Sequence, residues 1–127
     1  MQIRKCDKWG CGHFGASRGD RKHNGVDLVW TPGDRAFCLM CGIVTKLGYP
    51  YADDLSFRYV EITEDGNRWR YFYVDPIVNV GDELDAYTEI GEYQGLGERY
   101  PGITEHVHCE IIGPDGEYID PTPRIAE

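Results

Sequence analysis

The sequence predicts a mostly β fold: one antiparallel β-sheet domain with long loops walling a groove. Sixteen glycines, seven prolines and nine tyrosines among 127 residues favour turns and strands over helices. "SFRYVEIT" (56–63) and "RWRYFYV" (68–74) alternate in polarity on either side of "EDGN", which is the pattern of a hairpin. No stretch carries an apolar stripe of helical spacing. A chain of 127 residues is long enough for one domain with a real core and too short for two, so residues 1–127 are read as one unit.

Residues 1–22, rich in glycine and basic side chains, read as an irregular N-terminal arm. "GVDLVW" (25–30) begins a strand, and "TPGD" turns it. "RAFCLMCGIVTKLG" (35–48) reads as two short strands bent at Gly42. "YPYADD" (49–54) is a loop, the hairpin follows, and "DPIVNVGDEL" (75–84) is a turn-rich crossing. "GEYQGLGERYPG" (91–102) reads as a long glycine-bearing loop, and with residues 49–54 it can wall a groove. "EHVHCEII" (105–112) is the next strand, "GPDGEYI" (113–119) a hairpin, and "DPTPRIAE" a proline-punctuated tail.

Charge and hydropathy exclude several functions. A net charge of −9 leaves no basic footprint for nucleic acid and no electrostatic steering toward an anionic membrane or wall polymer. No apolar run reaches the roughly eighteen residues of a span, so no membrane insertion is expected. "MQIRKCDKWGCG" has no signal-peptide pattern. Cys6 and Cys11 flank the tight, glycine-containing "CDKWGC", a spacing that predicts a small disulfide loop in an oxidising compartment. "CLMC" (38–41) has the spacing of redox and zinc sites, but there is no second such pair. Its thiols are expected to be packing residues.

The chemistry gathers on histidines. His106 and His108 are two apart on one strand, so both imidazoles leave the same face, while Val107, Cys109 and Ile111 face a core. In "HNGVD", His23 and Asp27 stand four apart at the mouth of a strand, with Gly25 between them to let the backbone turn tightly. Zinc accepts imidazole and carboxylate together, and catalytic sites use three protein ligands plus a water. His23, Asp27 and one histidine of "HVH" would complete that set, leaving the other beside the water as a general base. Either motif alone is a weak signal. In a chain whose only other histidine is His13, the two together are specific.

An early HxxxD and a late HxH in a small glycine-rich β domain resemble the LytM/lysostaphin-type zinc metallopeptidases, whose fold is of the duplicated-hybrid-motif type. "TPGDRAFCLMCGIV" resembles that superfamily's strand-kink-strand after the first motif, and "GEYIDPTPRI" its closing segment. "IRKCDKWGCGHFGASRGDRKHNGVDL" and "YPGITEHVH" are more similar still to the leukocyte cell-derived chemotaxin branch and its phage and bacterial members. The resemblance implies one zinc per chain, held by His23, Asp27 and His108, with His106 as the catalytic histidine beside it. It implies an endopeptidase, extracellular or in the cell envelope, that hydrolyses peptide cross-links of peptidoglycan with a zinc-activated water. The alternative is a catalytically inactive, zinc-containing binding module for a protein or glycan partner.

At one place the chain departs from the pattern. The active peptidases carry a further histidine where "YFYVDP" places Tyr73. A tyrosine hydroxyl donates a hydrogen bond to an oxyanion but is a poor base at neutral pH. Alternation along "RWRYFYV" is expected to set Tyr71 and Tyr73 on one face and Phe72 on the other, with Tyr73 toward the zinc side.

Overall fold

The computed structural model describes residues 1–125, and its regular structure is almost wholly β. Ala126 and Glu127, at the end of the expected tail, lie outside the described residues. The strands are β1 (Val26–Val29), β2 (Arg35–Phe37), β3 (Gly42–Gly48), β4 (Tyr59–Glu64), β5 (Asn67–Phe72), β6 (Val74–Pro76), β7 (Glu83–Leu84), β8 (Glu89–Tyr93), β9 (His106–Ile112) and β10 (Tyr118–Ile119). A 3-10 turn at Thr122–Arg124 is the helical content of the described residues.

Every pairing is antiparallel. A seven-stranded sheet runs β1-β9-β5-β4-β3-β7, with β10 also on β9, and a three-stranded sheet runs β2-β8-β6. The β4–β5 hairpin follows from its turn: Asp65 (φ 49°) and Gly66 (φ 82°) supply the two left-handed residues that match strand twist. "RAFCLMCGIVTKLG" does bend, and the bend carries the chain from one sheet to the other. Cys38, Leu39 and Met40 of that crossing are buried, and the Cys38 thiol donates to the Asp85 carbonyl at 3.2 Å. Cys41 faces solvent. The core lies between the sheets, where Val26, Leu28, Trp69, Tyr71, Val107, Cys109 and Ile111 of the larger sheet meet Ala36, Val74 and Ile90 of the smaller.

Besides the exposure of Cys41, which was expected to pack, two expectations need correction. Residues 91–93, read as the start of a loop, belong to β8, because Ile90 and Tyr93 bury against the core while Glu92 points out. The alternation expected through Tyr73 also fails. Strand β5 stops at Phe72, and the N–H groups of Tyr73 and Val74 both donate to the Arg58 carbonyl, at 2.8 and 3.1 Å. Two residues thus oppose one, which is a bulge, and Tyr73 takes a left-handed φ of 73°. Tyr71 goes into the core, whereas Phe72 and Tyr73 both turn toward the histidines.

The N-terminal arm has no long strand, yet its backbone is laced to β1. Arg4 N–H donates to the Asp27 carbonyl at 2.7 Å, Asp27 N–H to the Gly12 carbonyl at 2.9 Å, and Val29 N–H to the Gln2 carbonyl at 2.8 Å. All seven residues of β9 are buried. Its histidine face is therefore enclosed as well as its core face.

Candidate metal centre and active site

Register sets the site. On β9, His108 lies opposite Asp27 of β1 on one side and Phe72 of β5 on the other. Gly25 allows this approach, since a Cβ there would collide with the Cys109 carbonyl oxygen. His23, just ahead of β1, then swings over the same point.

Three ligand atoms converge. Asp27 Oδ1 lies 2.9 Å from His108 Nδ1 and 3.1 Å from His23 Nε2, and the two imidazole nitrogens are 3.1 Å apart. All three residues are buried. A tetrahedral zinc with bonds of about 2.0–2.1 Å sets its ligands roughly 3.3 Å apart, so the triangle needs only a slight opening to take the ion. Among the described residues this is the one histidine, cysteine and carboxylate cluster placed to hold a metal.

The far side of each ring fixes its tautomer. His23 Nδ1 meets the His13 carbonyl at 3.0 Å, so the proton sits there and Nε2 offers its lone pair inward. His108 Nε2 donates to Glu110 Oε1 at 2.9 Å, which leaves Nδ1, facing Asp27, as the nitrogen that a metal would take in place of a proton. Outer hydrogen bonds of this kind orient metal-binding imidazoles generally. Burial pushes the His108 ring down, but Asp27 and Glu110 outweigh it and hold the imidazole up at about 9. Burial likewise opposes the Asp27 charge, and His108 and His23 still keep that carboxyl well below its usual range.

His106 is placed differently. Its Nδ1 donates to the Thr104 carbonyl at 2.7 Å, and its Nε2 stands 3.5 Å from Asp27 Oδ2, outside the ligand triangle. Burial lowers its pKa against the pull of Asp27, so the ring is neutral near pH 7 and can accept a proton.

A cavity of about 350 Å³ opens over these groups. Its walls come from the arm (Arg4, Trp9, Arg18, Arg21), from the loop holding Pro50 and Tyr51, and from the loop holding Leu96, Tyr100 and Ile103. Phe72 packs edge-on to His108 at 4.9 Å between centroids, and Tyr73 edge-on to His106 at 5.9 Å. The Tyr100 hydroxyl donates to Tyr51 Oη at 3.1 Å, and Tyr51 donates in turn to Tyr73 Oη at 3.4 Å. Among the described residues nothing accepts the Tyr73 proton, which leaves it for whatever occupies the cavity. Burial raises the Tyr73 phenol, so it keeps that proton.

Sequence reasoning named His23, Asp27, Tyr73, His106 and His108, and the fold brings all five to this cavity. It missed Glu110, Arg4 and Tyr51. Glu110 was readable, because it is the next alternate position after His106 and His108 on the same strand face. Arg4 and Tyr51 were not, since only tertiary packing brings them to the site. Cys6 and Cys11 form the expected disulfide.

No family model matches the chain. In fold it resembles the antimicrobial peptidase lysostaphin from Staphylococcus simulans, with a TM-score of 0.70 and 19% identity, over 97% of this chain and 53% of that one. It also resembles a catalytic domain of the prophage-encoded M23 protein EnpA from Enterococcus faecalis, with a TM-score of 0.66 and 20% identity, over 89% and 88% of the two chains. The fold is that of the LytM/lysostaphin-type M23 peptidases. In sequence the chain is 31% identical over 110 residues to leukocyte cell-derived chemotaxin-2 of Mus musculus, covering 86% of this chain and 72% of the relative. The Bos taurus protein of that name is 31% identical over 117 residues, covering 89% and 77%. The chain belongs to the leukocyte cell-derived chemotaxin-2 family.

Proposed function

We propose that the protein is a zinc-dependent endopeptidase that hydrolyses peptide cross-links of peptidoglycan. The observation that carries this is the division of labour between the histidines: two imidazoles and a carboxylate converge on one point, and a third, neutral imidazole stands just outside it. His23, Asp27 and His108 would hold one zinc per chain. Bound there, the ion would polarise the scissile carbonyl and lower the pKa of a water toward about 7. His106 Nε2 takes the proton of the attacking water, while the bond from Nδ1 to Thr104 keeps the ring in the accepting tautomer. Tyr73 donates its unclaimed proton to the oxygen that gains charge as the carbonyl becomes tetrahedral.

The peptidoglycan substrate is supported by the likeness to an antimicrobial peptidase and to a prophage-encoded catalytic domain. An extracellular or cell-envelope location is supported by the Cys6–Cys11 disulfide, since such bonds persist in oxidising compartments. Among the described residues no helix is long and apolar enough to cross a membrane.

A second reading has its own observation. Tyr73 holds its proton too firmly to act as a base, and the two relatives described above are named as chemotaxins. On that reading the domain keeps zinc for stability and docks a protein or glycan without turnover. Turbidity of purified cell walls separates the two. Clearing that is abolished by a chelator and restored by zinc is expected of the enzyme; zinc-loaded protein that binds walls or protein ligands and never clears them would establish the module.

A further inference from the structure

The disulfide loop takes no part in the reaction proposed above, yet it is wired to both halves of the site. Arg4 is almost wholly buried, and each of its three side-chain nitrogens meets an oxygen. Its Nε donates to Asp27 Oδ2 at 3.1 Å, its Nη2 makes an ion pair with the same oxygen at 3.0 Å, and its Nη1 donates to Asp7 Oδ2 at 2.8 Å and to the Gly10 carbonyl at 3.1 Å. Asp7 lies inside the Cys6–Cys11 loop, and its Oδ2 also accepts the Thr104 N–H at 2.9 Å. Thr104 supplies the carbonyl that orients His106. The same loop reaches across the cavity, where Trp9 Nε1 donates to the Pro101 carbonyl at 2.9 Å and its ring packs edge-on to Tyr100 at 5.2 Å. Where the chain leaves the loop, Gly12 is a required glycine, because a Cβ there would lie 2.6 Å from Arg4 Cβ and 3.1 Å from Asp27 Cβ.

From this network we infer that Arg4 and Asp7, held by the Cys6–Cys11 loop, are a positioning pair that fixes Asp27 as a one-oxygen metal ligand and His106 in its accepting tautomer. It rests on the metal site proposed above. Two effects of Arg4 on a cation compete. Its positive charge repels a metal, whereas its hydrogen bond and ion pair to Oδ2 stop the carboxylate from rotating and keep a buried oxygen from going unpaired. Asp7 offsets the first effect and leaves the second. Loss of an orienting partner of this kind lowers metal affinity by about 10- to 100-fold, so the directional effect dominates.

Zinc affinity by competition with a chromogenic chelator, together with the visible spectrum of the cobalt-substituted chain, tests the pair without any assay of turnover. Arg4→Lys keeps the charge but cannot span Asp27, Asp7 and Gly10 at once. It is expected to weaken zinc by about 10- to 100-fold and to change the cobalt spectrum as Asp27 becomes free to bind through both oxygens. Asp7→Asn, at a partly exposed loop position, keeps the experiment decisive if Arg4→Lys does not fold, and about tenfold weakening is expected of it. A Cys6→Ser/Cys11→Ser chain should weaken zinc in the same direction, while Lys5→Ala, an exposed neighbour, should leave affinity unchanged. Arg4→Lys and Asp7→Asn chains that bind zinc within twofold of the native, with its cobalt spectrum, would overturn the positioning role. A native chain that took up no zinc would instead overturn the metal site, and the pair with it.

Discussion

His106 and His108 are two residues apart on one strand, and what distinguishes them is the partner on the outer nitrogen. Glu110 holds Nε2 of His108 and so sets its Nδ1 in the triangle with His23 and Asp27, whereas Thr104 leaves Nε2 of His106 facing the cavity. His108→Ala is therefore expected to lose zinc, and His106→Ala to retain it while turnover falls by about 100- to 10,000-fold. Equal loss of zinc from both, measured by elemental analysis, would contradict the assignment. Tyr73→Phe removes that donor together with the acceptor of the long Tyr51 hydrogen bond and keeps the ring, so zinc and fold should persist while hydrolysis slows by about 100- to 1,000-fold. Turnover that arises only in Tyr73→His would mark the native chain as a binding module. Much of this was legible at the level of single residues, because HxxxD and HxH already contain every proposed ligand. The role of the tyrosine was legible only as a substitution in a familiar pattern.

Among the elements, the β4–β5 hairpin and the histidine strand were readable because polarity alternation and a two-residue turn are local signals. The bulge after β5 was not. Left-handed φ at Tyr73 has no local sequence cause, and such a conformation persists only where surrounding structure over-determines it. Here the two bonds to the Arg58 carbonyl and the packing against Tyr51 do so. The arm was equally opaque, since Arg4 meets Asp27 across 23 residues and Asp7 meets Thr104 across 97. Once seen, that docking gives a stability prediction. Gly12→Ala places a methyl group 2.7 Å from the Arg4 carbonyl oxygen and should destabilise the chain by about 1–3 kcal/mol in chemical unfolding. No change in the unfolding midpoint would mean that the arm can lift from β1 at little cost.

For the molecule as a whole, acidic composition conceals a site organised by opposite charges, and pH should expose it. Burial opposes the charges of Asp27, Asp7 and Glu61, but hydrogen bonds outweigh it. Asp27 is lowered by His108 and His23, Asp7 to about 2 by Thr104 N–H and Arg4, and Glu61 by Arg70 and Thr45. Such groups contribute stability that is complete above their ordinary values near 4 and is lost as pH falls through the lowered ones. His108 has the opposite sign: raised to about 9, its contribution is complete below about 6.5 and is lost as pH rises through about 9. The metal-free chain should melt highest between about pH 4.5 and 6.5, and saturating zinc should remove the alkaline fall by taking the place of the His108 proton. A metal-free melting temperature that stays flat from pH 6.5 to 9.5 would contradict that charge arrangement.

The net charge legible in the sequence could not reveal that Arg4 and Arg18 both gather at the buried Asp27 carboxylate. Tertiary contact alone does that. Everything proposed for the reaction depends on a metal at that ligand, and elemental analysis of the chain purified without chelator tests it most directly. The account predicts one zinc per native chain, either as purified or after zinc is added back, with sharply reduced occupancy in His23→Ala and Asp27→Ala. A native chain that holds no zinc under both conditions, or variants that hold as much as the native, would contradict it.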